Sequence, residues 1–177
     1  NWLTGAEDII YDHRYVFDEI GYNLKPLDLQ AAMGLQQLKK LPCLDEARRT
    51  NWARLRGIFE PYEEYFHLPK ATEKADPSWF AFLLTIKPDA PFDRNDIVSH
   101  LEGAKIQTRS YFSGNILAHP GYYHMASDYD DMDKTFANAN LVTTNSFFLG
   151  TYAGLTPDKM DYIQQVVDDF FVRVKNG

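Results

Sequence analysis

The chain has 177 residues, 45% hydrophobic and 24% charged, enough for one core or for a small domain with an arm. A formal net charge of -7, with acidic residues gathered between Asp128 and Asp133, excludes the basic stripe of a nucleic-acid surface. A single cysteine, Cys43, excludes an intrachain disulfide and a multi-cysteine metal site.

Residues 1–25 read as an arm in which Tyr11, His13, Tyr15, Phe17 and Ile20 alternate loosely, as in a short strand or hairpin that packs against a partner. Residues 26–61 read as a helical connector. Pro26 suits a first turn, and Leu27, Ala31, Leu35 and Leu38 fall at helical spacing up to Leu41. Pro42 is expected to interrupt or kink the helix, and a second helix runs from Leu44 to Phe59. On it Arg48, Arg49, Arg54 and Arg56 read as a solvated face.

Residues 62–177 read as a small α+β domain. Trp79–Ile86, rich in aromatic and branched residues, predicts a buried strand. Asp93 predicts the cap of a helix to Glu102, ended by Gly103. Ile106–Arg109 predicts a second strand, and Ser110–Asp130 a long loop of the kind that often carries function. A helix over Asp133–Val142 and a third strand over Ser146–Leu149 follow. Thr156 and Pro157 then mark the start of a last helix whose apolar face is Ile163, Val166, Val167, Phe170 and Phe171. Three strands with helices on one side make a two-layer sandwich.

No apolar run approaches the ~18 residues of a membrane span, and no signal peptide is visible. The expectation is a cytoplasmic protein with neither a membrane nor a nucleic acid as partner. His13, His67, His100 and His124 lack metal-ligand spacing, and the acidic run Asp128, Asp130, Asp131, Asp133 lacks the glycine and closing glutamate of a calcium loop, so no metal is expected. The chain opens at Asn1 without methionine and reads as the C-terminal piece of a longer protein.

The run Gly21-Tyr22-Asn23-Leu24-Lys25-Pro26-Leu27-Asp28-Leu29-Gln30-Ala31-Ala32-Met33-Gly34-Leu35-Gln36-Gln37-Leu38 carries more information than any other stretch. A turn passes directly into a helix start, where free N–H groups and the dipole favour an anion, although most helix starts bind nothing. The string resembles the G-Y-N-x-[RK]-x-x-[DE]-x-Q-A-A-x-G-x-x-Q-L segment of the DegT/DnrJ/EryC1/StrS family, pyridoxal-phosphate enzymes acting on nucleotide-linked keto sugars. Ile106-Gln107-Thr108-Arg109-Ser110-Tyr111-Phe112 resembles its G-I-x-T-R-x-x-F strand and turn. Thr144–Leu155 is similar to its closing L-P-x-x-x-x-L-T element, with Phe148-Leu149-Gly150 where members usually show a proline. Leu24-Lys25-Pro26 and Ser113-Gly114-Asn115 are similar to the sugar-nucleotide 3-dehydrase branch, which acts on CDP-linked 4-keto-6-deoxyglucose in lipopolysaccharide biosynthesis.

The resemblance implies the small C-terminal domain of a fold-type I transferase, preceded by its connector and by an arm from the end of the cofactor domain. It implies pyridoxal or pyridoxamine phosphate held mainly by that upstream domain, with a 2Fe–2S cluster in the dehydrase branch. The branch's cluster cysteines and the histidine replacing its Schiff-base lysine lie upstream of the segment matching Asn1. It also implies a homodimer through arm and connector, in which Asn23 reaches the neighbour's cofactor phosphate. Read alone, Asn23 is a turn residue. Lys25 takes the place of an arginine on the sugar-nucleotide phosphates, beside Tyr22, although a surface lysine would look the same. Arg109, at a strand end before the long loop, is a candidate substrate contact or a surface cation. Asn115 and His119 are candidates to line the sugar pocket, and His119 before Pro120 also suits a structural turn.

The functional expectation is thus a 3-dehydrase of a CDP-4-keto-6-deoxyhexose, this piece alone being inactive and holding no catalytic residue. The alternatives are a sugar-nucleotide aminotransferase and a non-catalytic binding module of the same fold.

Overall fold

The computed structural model describes residues 21, 22 and 24–176. The expected strand or hairpin of the arm and the cofactor contact Asn23 lie outside the described residues. The chain divides into two compact units, Asn1–Lys39 and Lys40–Gly177.

Helix α1 (Asp28–Phe59) starts in the first unit, after residues 24–27, which lie outside regular structure, and runs into the second. Its start is capped locally: the Leu27 N–H donates to the Gln30 side chain at 2.9 Å. Leu27, Leu29, Met33, Leu35 and Leu38 are all exposed. α1 continues through Pro42, where the sequence predicted a break or kink. Proline forfeits the hydrogen bond to the carbonyl four residues back, that of Leu38. This turn is exposed, so water satisfies the orphaned carbonyl and the helix persists.

The second unit is a two-layer α+β sandwich. Its sheet has four antiparallel strands in the order β1 (Phe66–His67), β2 (Ala81–Ile86), β4 (Ser146–Gly150), β3 (Thr108–Ser110). The sequence predicted three. β1, paired through Phe66↔Ile86 and His67↔Thr85, is too short to show a period. Between β2 and β3 lies α2 (Arg94–Gly103). The long loop carries 3-10 turns and α3 (Tyr123–Ala126). The single helix expected over Asp133–Val142 is split at Phe136 into α4 (Met132–Thr135) and α5 (Ala137–Asn145), which leads into β4, and α6 (Pro157–Asn176) closes the chain.

Alternation along the strands sorts the two faces. Phe82, Leu84 and Ile86 of β2, with Phe147 and Leu149 of β4, enter the core. There they join Leu55 and Phe59 of α1, Ile97 and Leu101 of α2, and Ile163, Val167 and Phe171 of α6. Tyr62 stacks on Phe171 with centroids 3.8 Å apart and donates to the Asp168 carboxylate at 2.7 Å. Burial and that carboxylate push its phenol up to about 12. Trp52 lies flat on Trp79 at 4.2 Å.

The α1 arginines are tied to acceptors, in place of the solvated face expected. Arg48 donates to the carbonyls of Trp79 and Phe80, Arg49 pairs with Asp45 and Asp76, Arg54 with Asp161, and Arg56 reaches the carbonyl of Pro69. They stitch the helix to the 68–80 connector and to α6.

Helix α2 starts as expected, with a complete capping box between Asp93 and Asp96. Its end differs from expectation. Gly103 is still helical, and the left-handed residue is Lys105 (φ 64). The Ile106 N–H bonds to the Leu101 carbonyl at 2.9 Å and the Lys105 N–H to that of Glu102 at 3.0 Å, a Schellman closure with Leu101 and Ile106 both buried. The Glu102 carboxylate then turns back to accept from both the N–H (2.5 Å) and the hydroxyl (2.8 Å) of Thr108. These bonds to Thr108, backbone then hydroxyl, hold its pKa below the ordinary 4.5. The clamp also shifts β3 two residues beyond the predicted start at Ile106.

Two outcomes follow from this corner. Lys105→Gly relieves a left-handed side chain and is expected to stabilise by roughly 0.5–1 kcal/mol, read as a higher Tm. Glu102→Gln is expected to destabilise at neutral pH. Because the folded pKa is depressed, the advantage of wild type over E102Q is complete above about pH 4.5 and disappears as pH falls through the folded value. A pH-independent difference in chemical denaturation would contradict the clamp.

Candidate functional site: the open face of the sheet

The face of the sheet turned away from the core carries Ala81, Leu83 and Thr85 of β2, Ser146, Phe148 and Gly150 of β4, and Arg109 of β3. The register sets Leu83, Phe148 and Arg109 side by side across three strands. Thr85 and Ser146 bond to each other at 2.8 Å at the end where α5 packs against β2 and β4. At the other end lies a groove of about 380 Å³ lined by Phe80, Gln107, Arg109, Ser110, Phe112, Phe148 and Gly150. Arg109 is exposed and is the single charged residue of that lining.

The loop after β3 is framed by polar contacts. Gly114 takes φ 58, and a β-carbon there would come within 2.7 Å of the Thr143 Cα. Both the conformation and the space therefore require glycine. Asn115 is 5% exposed. Its N–H donates to the Thr143 hydroxyl (2.7 Å), its amide nitrogen to the Asn140 side chain (2.6 Å), and its side-chain oxygen accepts from the Leu117 N–H (3.1 Å). Asn140 is held in turn by Asp133 at 3.0 Å. The His119 Nε2 lies 2.8 Å from the Ser113 carbonyl, which places a proton on that nitrogen. In this loop Asn115 and His119 hold the frame, and His119 keeps an exposed edge.

The predicted residues thus fall in two places. Arg109, Asn115 and His119 sit on β3 and the loop after it, in the second unit. Tyr22, 93% exposed, and the exposed Lys25 belong to the stretch before α1, in the first unit. Sequence reasoning assigns no role to Phe80, Phe112 or Phe148, although Phe112 is the closing aromatic of the T-R-x-x-F string. Among the described residues no cluster of metal-ligating side chains exists, and no helix is long and apolar enough to cross a membrane.

The chain is similar to known proteins along nearly all its length. It is 41% identical to a dTDP-4-dehydro-2,6-dideoxy-D-glucose 3-dehydratase of Saccharopolyspora spinosa over 92% of this chain and 34% of that protein. It is 36% identical to the lipopolysaccharide biosynthesis protein RfbH of Salmonella typhimurium over 91% of this chain and 36% of that one. Among solved structures, E. coli GDP-4-keto-6-deoxy-D-mannose-3-dehydratase with bound hydrated PLP superposes with a TM-score of 0.68 at 29% identity. That match covers 87% of this chain and 38% of the other. The chain therefore spans about a third of the length of these two curated relatives, and its fold is that of the corresponding part of a PLP-dependent aminotransferase-type protein. With residues 4–168 matching its family model, the chain belongs to the DegT/DnrJ/EryC1/StrS aminotransferase family.

Proposed function

We propose that this chain is the substrate-side part of a PLP- or PMP-dependent enzyme that removes the 3-hydroxyl of a nucleotide-linked 4-keto-6-deoxyhexose, in dideoxysugar and lipopolysaccharide biosynthesis; the Leu24-Lys25-Pro26 string favours the 3-dehydrase branch, and the overall resemblance a CDP-linked substrate. The observation that carries the proposal is Arg109. In a chain of net charge -7 it is the one charged residue in an otherwise uncharged groove, next to a loop framed by its own hydrogen bonds. A fixed guanidinium is suited to bidentate contact with a diphosphate. The 3-dehydratase names of the relatives support the reaction class.

The roles of this chain's residues follow. Arg109 holds the substrate diphosphate. Lys25 is a phosphate contact and Tyr22 a phenol beside it, as the resemblance of the Gly21–Leu38 run implies. Asn115 fixes the loop that shapes the sugar end, where His119 presents its exposed edge. Asn23 donates its amide to the cofactor phosphate of a neighbouring copy, which requires a homodimer. The apolar side chains around the first turns of α1 support burial of that segment by protein, because a helix apolar on most sides is a buried one. The arm is residues 1–25, the connector 26–61 and the small domain 62–177, acting in the cytoplasm.

The cofactor, when bound, supplies an electron sink. This chain's residues fit it only as auxiliary contacts. Every lysine is exposed except Lys87, whose ammonium is tied to the Glu63 carbonyl at 3.0 Å, so none is a buried, unpartnered amine of the kind that would take the cofactor aldehyde. The lone Cys43 is exposed and does not make a ligand set for a 2Fe–2S cluster. The aminotransferase reading uses the same residues and differs in groups outside this chain.

In the complete enzyme Arg109→Ala is expected to raise KM for the nucleotide sugar about ten- to hundred-fold, with Arg109→Lys between, as for loss of a charged hydrogen bond. An unchanged KM would remove Arg109 from the substrate site. The isolated chain mixed with pyridoxal phosphate is expected to form no Schiff base. A stoichiometric adduct on one of its lysines, read by absorbance and mass, would refute the division of labour.

A further inference from the structure

We infer that a cleft in the second unit, between the start of β3 and α6, binds a small organic acid with a flat apolar body. The inference stands apart from the proposed function. The cleft is floored by Leu149, on the core side of the sheet, and shares only Gln107 and Gly150 with the Arg109 groove.

The cleft measures about 400 Å³, within the range of small-molecule sites. Its floor is aliphatic: Ile106, Leu149 and Ile163 are buried and Leu155 is half-buried. Two tyrosines form the walls, and each is fixed by a contact outside the cleft. The Tyr152 ring occupies the space that a side chain at Gly154 would take, so that glycine seats it. The Tyr162 hydroxyl donates to the Ala104 carbonyl at 3.0 Å, tying α6 to the corner after α2. Both rings stay about half-exposed and leave a face open. Walls fixed beforehand lose little freedom when a ligand enters.

Charge decides the occupant. The ammonium groups of Lys105 and Lys159 line the cleft, and among the described residues no acidic side chain does, in a chain with 25 acidic residues against 18 lysines and arginines. The larger cavity at the start of α2 shows the contrast, because there Asp93 and Asp96 match Lys87 and Arg94. Lys159 donates to the Gly154 carbonyl at 2.9 Å and has two further N–H groups to offer. Lys159, Tyr162 and Ile163 fall on one face of α6, which sets charge, wall and floor side by side. Lys105 takes the left-handed conformation (φ 64), where glycine is the least strained residue and the usual one at such a helix end. A lysine held at that cost beside a cavity points to a use for its charge. An aromatic carboxylate engages every group: its ring lies on the aliphatic floor between the tyrosines, and its acid meets the two lysines. A neutral ring would leave the lysines idle, and a bare inorganic anion would leave the floor uncovered.

The test titrates the complete protein with naphthoate, with its neutral amide naphthamide and with inorganic phosphate, read by calorimetry and saturation-transfer NMR. Naphthoate is expected to bind about ten-fold or more tightly than either control and to weaken with added salt. Lys105→Gly is expected to weaken naphthoate about ten-fold while Tm holds or rises, which separates the charge from folding. Lys159→Gln is expected to weaken it by a similar factor, and Arg109→Ala to leave it unchanged. Equal affinity for acid and amide, or for naphthoate and phosphate, overturns the proposal. So does naphthoate binding that ignores both lysines or falls with Arg109→Ala, which would place the ligand elsewhere. Absence of naphthoate binding at millimolar concentration overturns it as well, and leaves the roles proposed for Arg109 untouched.

Discussion

The two-sidedness of the antiparallel sheet governs this molecule. Phe82, Leu84, Ile86, Phe147 and Leu149 go to one side because α1, α2 and α6 bring Phe59, Ile97 and Phe171 to meet them. Period-two geometry then leaves Leu83, Phe148 and Arg109 no choice of side. The core thus places the candidate chemistry. A one-residue slip of β4 would bury Phe148 and turn Phe147 and Leu149 outward, dissolving both core and groove.

Around that constraint the polar contacts act as registers. Asn51 reaches from α1 to the Tyr152 carbonyl at 2.9 Å, and Thr151 to the Trp79 carbonyl at 2.7 Å, fixing the β4–α6 turn against the start of β2. The Glu102 clamp does the same for β3. Each is a side chain bonding to backbone, the form that sets position more firmly than one exposed ion pair does. The groove end of the sheet is pinned on both flanks, while among the described residues Phe80 and Phe112 stay exposed.

The legible part of the fold was the part encoded locally. The Asp93 capping box, the Thr156–Pro157 helix start, the 81–86 strand and the apolar face of α6 all follow from a few neighbouring residues. Pro42 misled because a rule about a lost hydrogen bond assumes that the loss matters, and on an exposed turn water replaces it. Gly103 misled because the sequence offers a glycine two positions before the residue that takes the left-handed conformation. In the site, Arg109 stood out as a charge after a strand. The phenylalanines did not, because Phe147-Phe148 reads as two core residues until the register with Leu83 and Arg109 tells them apart. The resemblance of the Gly21–Leu38 run supplied the family, and periodicity alone would have supplied only a helix.

Gly114 has a consequence for anyone who would reshape this loop. It sits against the Thr143 backbone with no room for a methyl group, so the segment is keyed to α5 at one tooth. Diversity introduced from Gly121 to Asp130 leaves that key, the Asn115–Asn140 latch and the His119–Ser113 bond intact, whereas a single added carbon at position 114 unseats the whole span. A library meant to vary this loop has its fixed post and its free rim marked out by one missing side chain.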